Sequence, residues 1–463
     1  MATSLPQSLH NYTQELQVLN ALHDYTTSSI VPSLLFESFI VGVLFASVPL
    51  GSYLISAKLR SDARIPLILS QWAVSIAVIT HWGLSLHQLY RLLDGSALGI
   101  ALGEPDDATL NSKDFSIHTD YANAWTYLLP IVTETVLFGL VTVLFVVTAW
   151  TTLRQLHTRR LSFATGLVPA VATVMYAFSL AHWAVSVQYF TADAHAINQS
   201  GNDNDVVPPV TALVVLLTLN AVMGDAIVLW RMCVVWKNKR PILVFAVGLA
   251  LVTLALNIVN VVVTADNNGY QNKFLVQQNV PVFSETILGI MAAFISLASN
   301  ACATMLVGIK VWLLRSQLAN HAHTSDRRTV VERFMELLVD SGLVYTGIWI
   351  FYCVSFFMPI ATHTFLQVES LSYSIQITAV DHLNAGMAQM TTIYPLIIFI
   401  LVALDRTYHE HGPRALHTSE QLSRWDADVP IALDMHVMGD ERGRERSEGA
   451  ASYSKVSNPT DSW

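Results

Sequence analysis

Asp225 and Arg231 stand six residues apart in the stretch "NAVMGDAIVLWR" (Asn220–Arg231), inside a long apolar run. A carboxyl group in such a run could move a proton, contact a ligand or bond one helix to another. At the α-helical rise, six residues place Asp225 about 9 Å deeper than Arg231. The two also lie about 120° apart around the helix axis, so they do not pair directly. No other Lys or Arg occupies the middle of an apolar run. Asp225 is therefore either carried as the neutral acid or joined to a polar cluster facing other helices. Arg231, near the end of its run, is long enough to extend its guanidinium to the lipid headgroups as a helix-end anchor or switch.

Candidate neighbours for Asp225 are Asn220, His81, His182, Asn257, Asn260, Asn300 and Asp340. The set we single out is Asp225, Asn300 and Asp340, with Tyr345 beside Asp340. Two readings of it stay open: a bond between helices, or a signalling or proton-linked centre. Glu37, Glu134, His81 and His182 lie near the outer ends of their runs. There the glutamates are either solvated by interfacial water or contact a ligand, while each histidine either bonds one helix to another or contacts a ligand. No Cys, His and Glu set has metal-ligand spacing, and no cofactor motif occurs. GxxxxGK[ST], HExxH and GxSxG are all missing. The expectation is a protein that is not an enzyme.

The elements that carry these residues follow from composition. Of 463 residues, 53% are hydrophobic and 13% charged, with a mean hydropathy of +0.46. Soluble chains usually carry about 25% charged residues. Apolar runs of roughly 18 or more residues read as membrane spans. Nine are expected, near 31–56, 66–90, 125–150, 162–190, 209–234, 241–265, 285–314, 334–360 and 379–404. The fold class expected is an all-α polytopic transmembrane bundle, with the lipid bilayer as its principal partner. Cys233, Cys302 and Cys353 all lie within apolar runs, so no extracellular disulfide framework is offered.

Orientation follows from the cations. The segments after the odd-numbered spans up to the seventh carry fourteen Lys and Arg, from Lys58 to Arg333. The opposite segments carry three: Arg91, Lys113 and Lys273. Cations are retained on the cytoplasmic side, which predicts an external N-terminal segment (1–30) and a cytoplasmic C-terminus. The sequons at Asn11 and Asn198 fall on the predicted outside, where N-glycosylation occurs. Residues 405–463 are rich in charge, Gly, Ser and Pro, which predicts a disordered cytoplasmic tail that could engage a signalling partner. The short basic loops fit membrane geometry and argue against nucleic acid as a partner.

An internal repeat runs through the first four spans. "FESFIVGVLF" (Phe36–Phe45) resembles "TETVLFGLVTVLF" (Thr133–Phe145), with Glu37 and Glu134 each five residues before a glycine, Gly42 and Gly139. Each span is followed by a helix containing His-Trp, "THWGLSLHQLY" (Thr80–Tyr90) and "AHWAVSVQYF" (Ala181–Phe190). The reading is a duplicated hairpin in parallel orientation; the bland alternative is that membrane helices share few residue types.

Four motifs in order carry a family resemblance: "GDAIVLWRMCVVW" (Gly224–Trp236), "SNACATMLVGIKVWLLR" (Ser299–Arg315), "ELLVDSGLVY" (Glu336–Tyr345) and "IYPLIIFILVALDRT" (Ile393–Thr407). Together they resemble a group of seven-transmembrane proteins of mushroom-forming fungi, over residues 209–407 and one N-terminal hairpin. Asp340 stands where that group has glutamate, and this chain has two additional spans. The resemblance implies a seven-span core plus one duplicated hairpin with a receptor-like appearance, and no ligand or catalytic residue to carry over. The function expected is a receptor-like or sensory protein with an unidentified small-molecule ligand. Plasma membrane is favoured over internal membranes. A proton-coupled small-molecule transporter and a membrane scaffold are the alternatives.

Overall fold

The computed structural model describes residues 25–58, 61–93, 112–158, 163–198, 210–237, 239–270, 283, 286–319, 326–357, 363–367, 374–377 and 379–411. Asn11 and residues 412–463 of the predicted tail lie outside them, as do the residues following Asn198, which ends its helix. The described elements are α1 (Val31–Lys58, entered through a π turn at Thr26–Ile30), α2 (Ser61–Leu93), α3 (Ser112–Thr158), α4 (Phe163–Asn198) and α5 (Val210–Val235). They continue as α6 (Arg240–Tyr270), α7 (Ile287–Ala319), α8 (Asp326–Ser355), strands β1 (His363–Gln367) and β2 (Ser374–Ile377), and α9 (Ala379–His411).

All nine expected spans coincide with helices. A hydrocarbon solvent explains this, because only internal hydrogen bonds can satisfy the backbone there. Hydroxyls inside the runs adopt the same solution. Ser38 donates to the Leu34 carbonyl at 2.6 Å, Thr135 to Ile131 at 2.7 Å and Thr142 to Phe138 at 2.8 Å. Among the described residues, eight helices are long and apolar enough to cross a membrane; the apolar part of α8, Val339–Ser355, is shorter. Apolar side chains on α6 (Val244, Leu251, Val252, Val262) and α2 (Ile65, Leu69, Ile76) face outward. Faces of that kind suit lipid rather than water. The chain is a multi-pass membrane protein.

Several features differ from the sequence reading, among them the start of α3 at Ser112 rather than 125 and the end of α4 at Asn198 rather than 190. An antiparallel hairpin, with His363 opposite Ile377 and Thr364 opposite Gln376, occupies the segment between α8 and α9 and lies against α3. The last helix also continues to His411, past the expected end at 404.

Helices α3 to α9 form a closed circuit. Each packs on the next, and α9 returns onto α3. Across the circuit α9 also meets α4 and α5, and α5 meets α7. Buried side chains of α5, α7, α8 and α9, among them Leu217, Met232, Ala303, Trp349, Tyr352, Met387 and Tyr394, make the main apolar core. The remaining hairpin is attached from outside: α1 packs on α3, and α2 packs chiefly on α1.

The two N-terminal hairpins make the same contacts. In α1–α2, His81 Nδ1 lies 3.7 Å from Glu37 Oε1 and Trp82 Nε1 donates to Ser38 Oγ at 2.9 Å. In α3–α4, His182 Nδ1 lies 2.7 Å from Glu134 Oε1 and Trp183 Nε1 donates to Thr135 Oγ1 at 3.0 Å. The glycines five residues after each glutamate meet at the α1–α3 crossing. A Cβ on Gly42 would strike the Val136 carbonyl, and a Cβ on Gly139 would strike the Phe39 carbonyl. Val136 and Phe39 each stand two residues after their own glutamate, so the contact is reciprocal. The two hairpins thus repeat one pattern of contacts and meet reciprocally at these glycines.

Candidate functional site

Asp225 sits on α5, 1% exposed, and accepts two hydrogen bonds from α7. Ser296 Oγ donates to its Oδ2 at 2.6 Å and Asn300 Nδ2 to its Oδ1 at 2.9 Å. Ser296 and Asn300 are four residues apart, one helical turn, so one face of α7 offers both donors. The Asn300 amide also donates to the Ser296 carbonyl at 2.7 Å, which fixes its orientation. Five residues before Asp225, Asn220 Nδ2 donates to the Ala388 carbonyl at 3.4 Å and so joins α5 to α9. Eleven residues after it, Trp236 Nε1 donates to the Leu306 carbonyl of α7 at 3.1 Å, with Lys310 Nζ 5.5 Å from the indole centre. The α5–α7 seam is thus fastened in the middle and again at its end.

Arg231 does not extend to the headgroups. It is 5% exposed, with its guanidinium 5.6 Å from the centre of the Tyr394 ring on α9. Room for it comes from Gly342 on α8: a Cβ there would stand 3.2 Å from Arg231 Nη2 and 2.7 Å from Thr304 Oγ1. Tyr345 stacks on Tyr394 with ring centres 4.2 Å apart and an interplanar angle of 2°. It also reaches α5, since a Cβ on Gly224 would lie 3.6 Å from its hydroxyl. Arg231, Tyr345 and Tyr394 therefore form a layer beside the Asp225 joint.

Asp340 is not part of it. It is exposed, and among the described residues no hydrogen bond links it to Asp225 or Asn300. Asp340 and Tyr345, five residues apart, differ by about 140° around α8, so they cannot share a face. Asn257 and Asn260 are elsewhere too: Asn257 donates to the Thr253 carbonyl at 2.9 Å, and Asn260 accepts from Thr286.

Glu134 and His182 form a second buried centre. Their side chains are 1% and 4% exposed, so enclosure by helices, rather than interfacial water, surrounds them. The Gln389 side-chain amide on α9 donates through Nε2 to Glu134 Oε1 at 3.3 Å and to the Ser179 carbonyl at 3.1 Å, while Ser179 Oγ donates to Gln389 Oε1. Nearby, Thr133 Oγ1 lies 2.8 Å from His382 Nδ1. The Phe138 ring stacks between Trp183 at 5.0 Å and Tyr176 at 6.0 Å. The equivalent pair Glu37 and His81 is 23% and 72% exposed.

Sequence reasoning missed Ser296, Gln389 and Tyr394. Gln389 carried a signal, an amide inside an apolar run. Ser296 carried little, since serine is common in membrane helices. Chemically, both centres can hold or pass hydrogen bonds between helices. Among the described residues no group of three or more His, Cys, Asp or Glu converges as a metal site. The chain matches no family model, no curated protein and no solved structure.

Proposed function

We propose that this multi-pass membrane protein is receptor-like or sensory, and that the Asp225 joint between α5 and α7 is the packing element that changes state. One observation carries the reading: a buried carboxyl on α5 takes both of its hydrogen bonds from α7, beside an Arg231–Tyr345–Tyr394 layer reaching α8 and α9. A joint of a few such bonds, each worth about 0.6 kcal/mol on average in a membrane, is weak enough to rearrange. On this reading the N-terminal segment is external, a small molecule enters from that side, and the cytoplasmic tail engages a signalling partner. The plasma membrane is the proposed location, and no catalysis is assigned. Asp225→Asn tests it: expression and trafficking stay intact while the response to ligand changes. Loss of expression alone would leave Asp225 a purely structural bond.

The buried Glu134–His182 pair, with Gln389 on its carboxylate, favours a second reading, a proton-coupled transporter. Uptake into reconstituted vesicles that depends on pH, and is abolished by Glu134→Gln, would select it. A receptor shows no uptake.

A further inference from the structure

Contacts between α5 and two of its neighbours advance in step along the helices. Asn220 meets Ala388 and Arg231 meets Tyr394, so α9 runs parallel to α5. Asp225 meets Asn300 and Trp236 meets Leu306, so α7 does too. The ends of α5, α7 and α9 therefore lie on one side of the bundle, and the chain beyond His411 leaves from that side.

That side carries a cluster of cations held in place. Trp236 Nε1 donates to the Leu306 carbonyl, which fixes the indole, and two ammonium groups approach its ring. Lys239 Nζ lies 5.9 Å from the ring centre and Lys310 Nζ 5.5 Å. Lys237 and Arg240 are exposed beside them, in the tight turn from α5 to α6. The turn is set by the left-handed backbone of Lys237 (φ 54°), whose N–H donates to the Val234 carbonyl at 3.0 Å. Among the described residues no carboxylate comes within ion-pair distance of these four cations. Leu243 and Leu313, both exposed, stand one helical turn from Lys239 and Lys310.

We propose that residues 425–441 of this same chain dock on the cluster. Their sequence, "WDADVPIALDMHVMGDE", holds five carboxylates (Asp426, Asp428, Asp434, Asp440 and Glu441) and no Lys or Arg. Between the carboxylates lie Val429, Ile431 and Leu433, apolar partners for Leu243 and Leu313. The tether is long enough. Tyr394 stands level with Arg231, and α9 runs seventeen residues beyond it while α5 runs five to Trp236. At the helical rise α9 overshoots the turn by about 18 Å, whereas residues 412–424 extend to about 45 Å. A short tether gives a local concentration of roughly millimolar, so ion pairs that are individually weak suffice. Docked there, the segment clamps the end of the α5–α7 seam where Trp236 fastens it. Anionic lipid headgroups offer the same charge, and the experiment separates the two.

Pulsed electron resonance on the full-length chain, one copy per nanodisc, tests this. Nitroxides are placed at Ser316→Cys on α7 and Ala432→Cys in the segment, with Cys233, Cys302 and Cys353 replaced by alanine. The expected result is a narrow distance component in phosphatidylcholine nanodiscs that persists when phosphatidylserine is added. Lys239→Glu with Lys310→Glu should reduce that component at least fivefold. Adding Asp426→Lys, Asp428→Lys and Asp434→Lys should restore it, which also shows that the reversed protein still folds. A broad distribution with the native charges, a narrow one that survives the lysine reversals, or a loss that the aspartate reversals leave uncorrected would each overturn the proposal. So would loss of the narrow component on adding phosphatidylserine, which would give the cluster to lipid headgroups instead.

Discussion

Gly42 of α1 and Gly139 of α3 lie against each other where the helices cross, and neither has room for a side chain. A Cβ on Gly42 would stand 3.0 Å from Gly139 Cα, and one on Gly139 would stand 3.1 Å from Gly42 Cα. The crossing holds the outer hairpin to the circuit of seven helices, and it brings main chain against main chain rather than flexible side chains. Gly42→Leu or Gly139→Leu should therefore cost stability at the upper end of the roughly 1–3 kcal/mol typical of overpacking. The check is the thermal midpoint of the purified protein, together with earlier proteolytic release of the hairpin. Gly83→Ala, with open space around it, should leave both unchanged.

The repeat makes paired predictions. Trp82→Phe and Trp183→Phe each delete one indole donor, to Ser38 and to Thr135. Each should cost about 1 kcal/mol, the net worth of a single hydrogen bond. Denaturant unfolding of the two variants should give similar losses.

The Glu–His pairs should differ sharply. Removing one partner of a buried pair costs about 3–5 kcal/mol, because the other is left uncompensated. Glu134→Ala should lose that much, measured as the unfolding free energy of the monomer in detergent. Glu37→Ala, whose histidine is largely exposed, should lose under about 1 kcal/mol in the same monomer. Equal losses would mean that the difference in burial has no energetic weight.

Glycans report the orientation. With an external N-terminus, Asn11 and Asn198 are both modified, and enzymatic deglycosylation lowers the apparent mass. Asn11→Gln and Asn198→Gln should each remove one glycan on a denaturing gel. A mass unaffected by deglycosylation would count against the proposed topology.

The spans were readable because lipid imposes length and apolarity on every crossing segment. The repeat was readable because a glutamate five residues before a glycine recurs, each time followed by a helix with His-Trp, and the glutamate and histidine turn out to face each other. Rotation around a helix axis was harder. Hydropathy gives the depth of Arg231 but not that it turns inward onto Tyr394, and it set Asp340 beside Tyr345 although helical phase separates them. The distance of Glu134 from the end of its run suggests a solvated rim, whereas it is enclosed with His182. What encloses them is α9, more than 200 residues away in sequence. Strands β1 and β2 are five and four residues long and lack a strong turn signal between them, so nothing set them apart from a loop.

On the proposed reading, Asp225 governs the spacing of α5 and α7. Alanine at this position should cost about 1–2 kcal/mol, the scale of two interhelical hydrogen bonds in a membrane, but stability cannot separate a joint that moves from one that only holds. Distance can. Nitroxide labels at Lys237→Cys and Ser316→Cys, at the exposed ends of α5 and α7, report that spacing by pulsed electron resonance once Cys233, Cys302 and Cys353 are replaced by alanine. With Asp225 in place, a single distance is predicted; with Asp225→Asn, a second, longer population appears. Identical distributions in the two proteins would mean that Asp225 does not set this spacing.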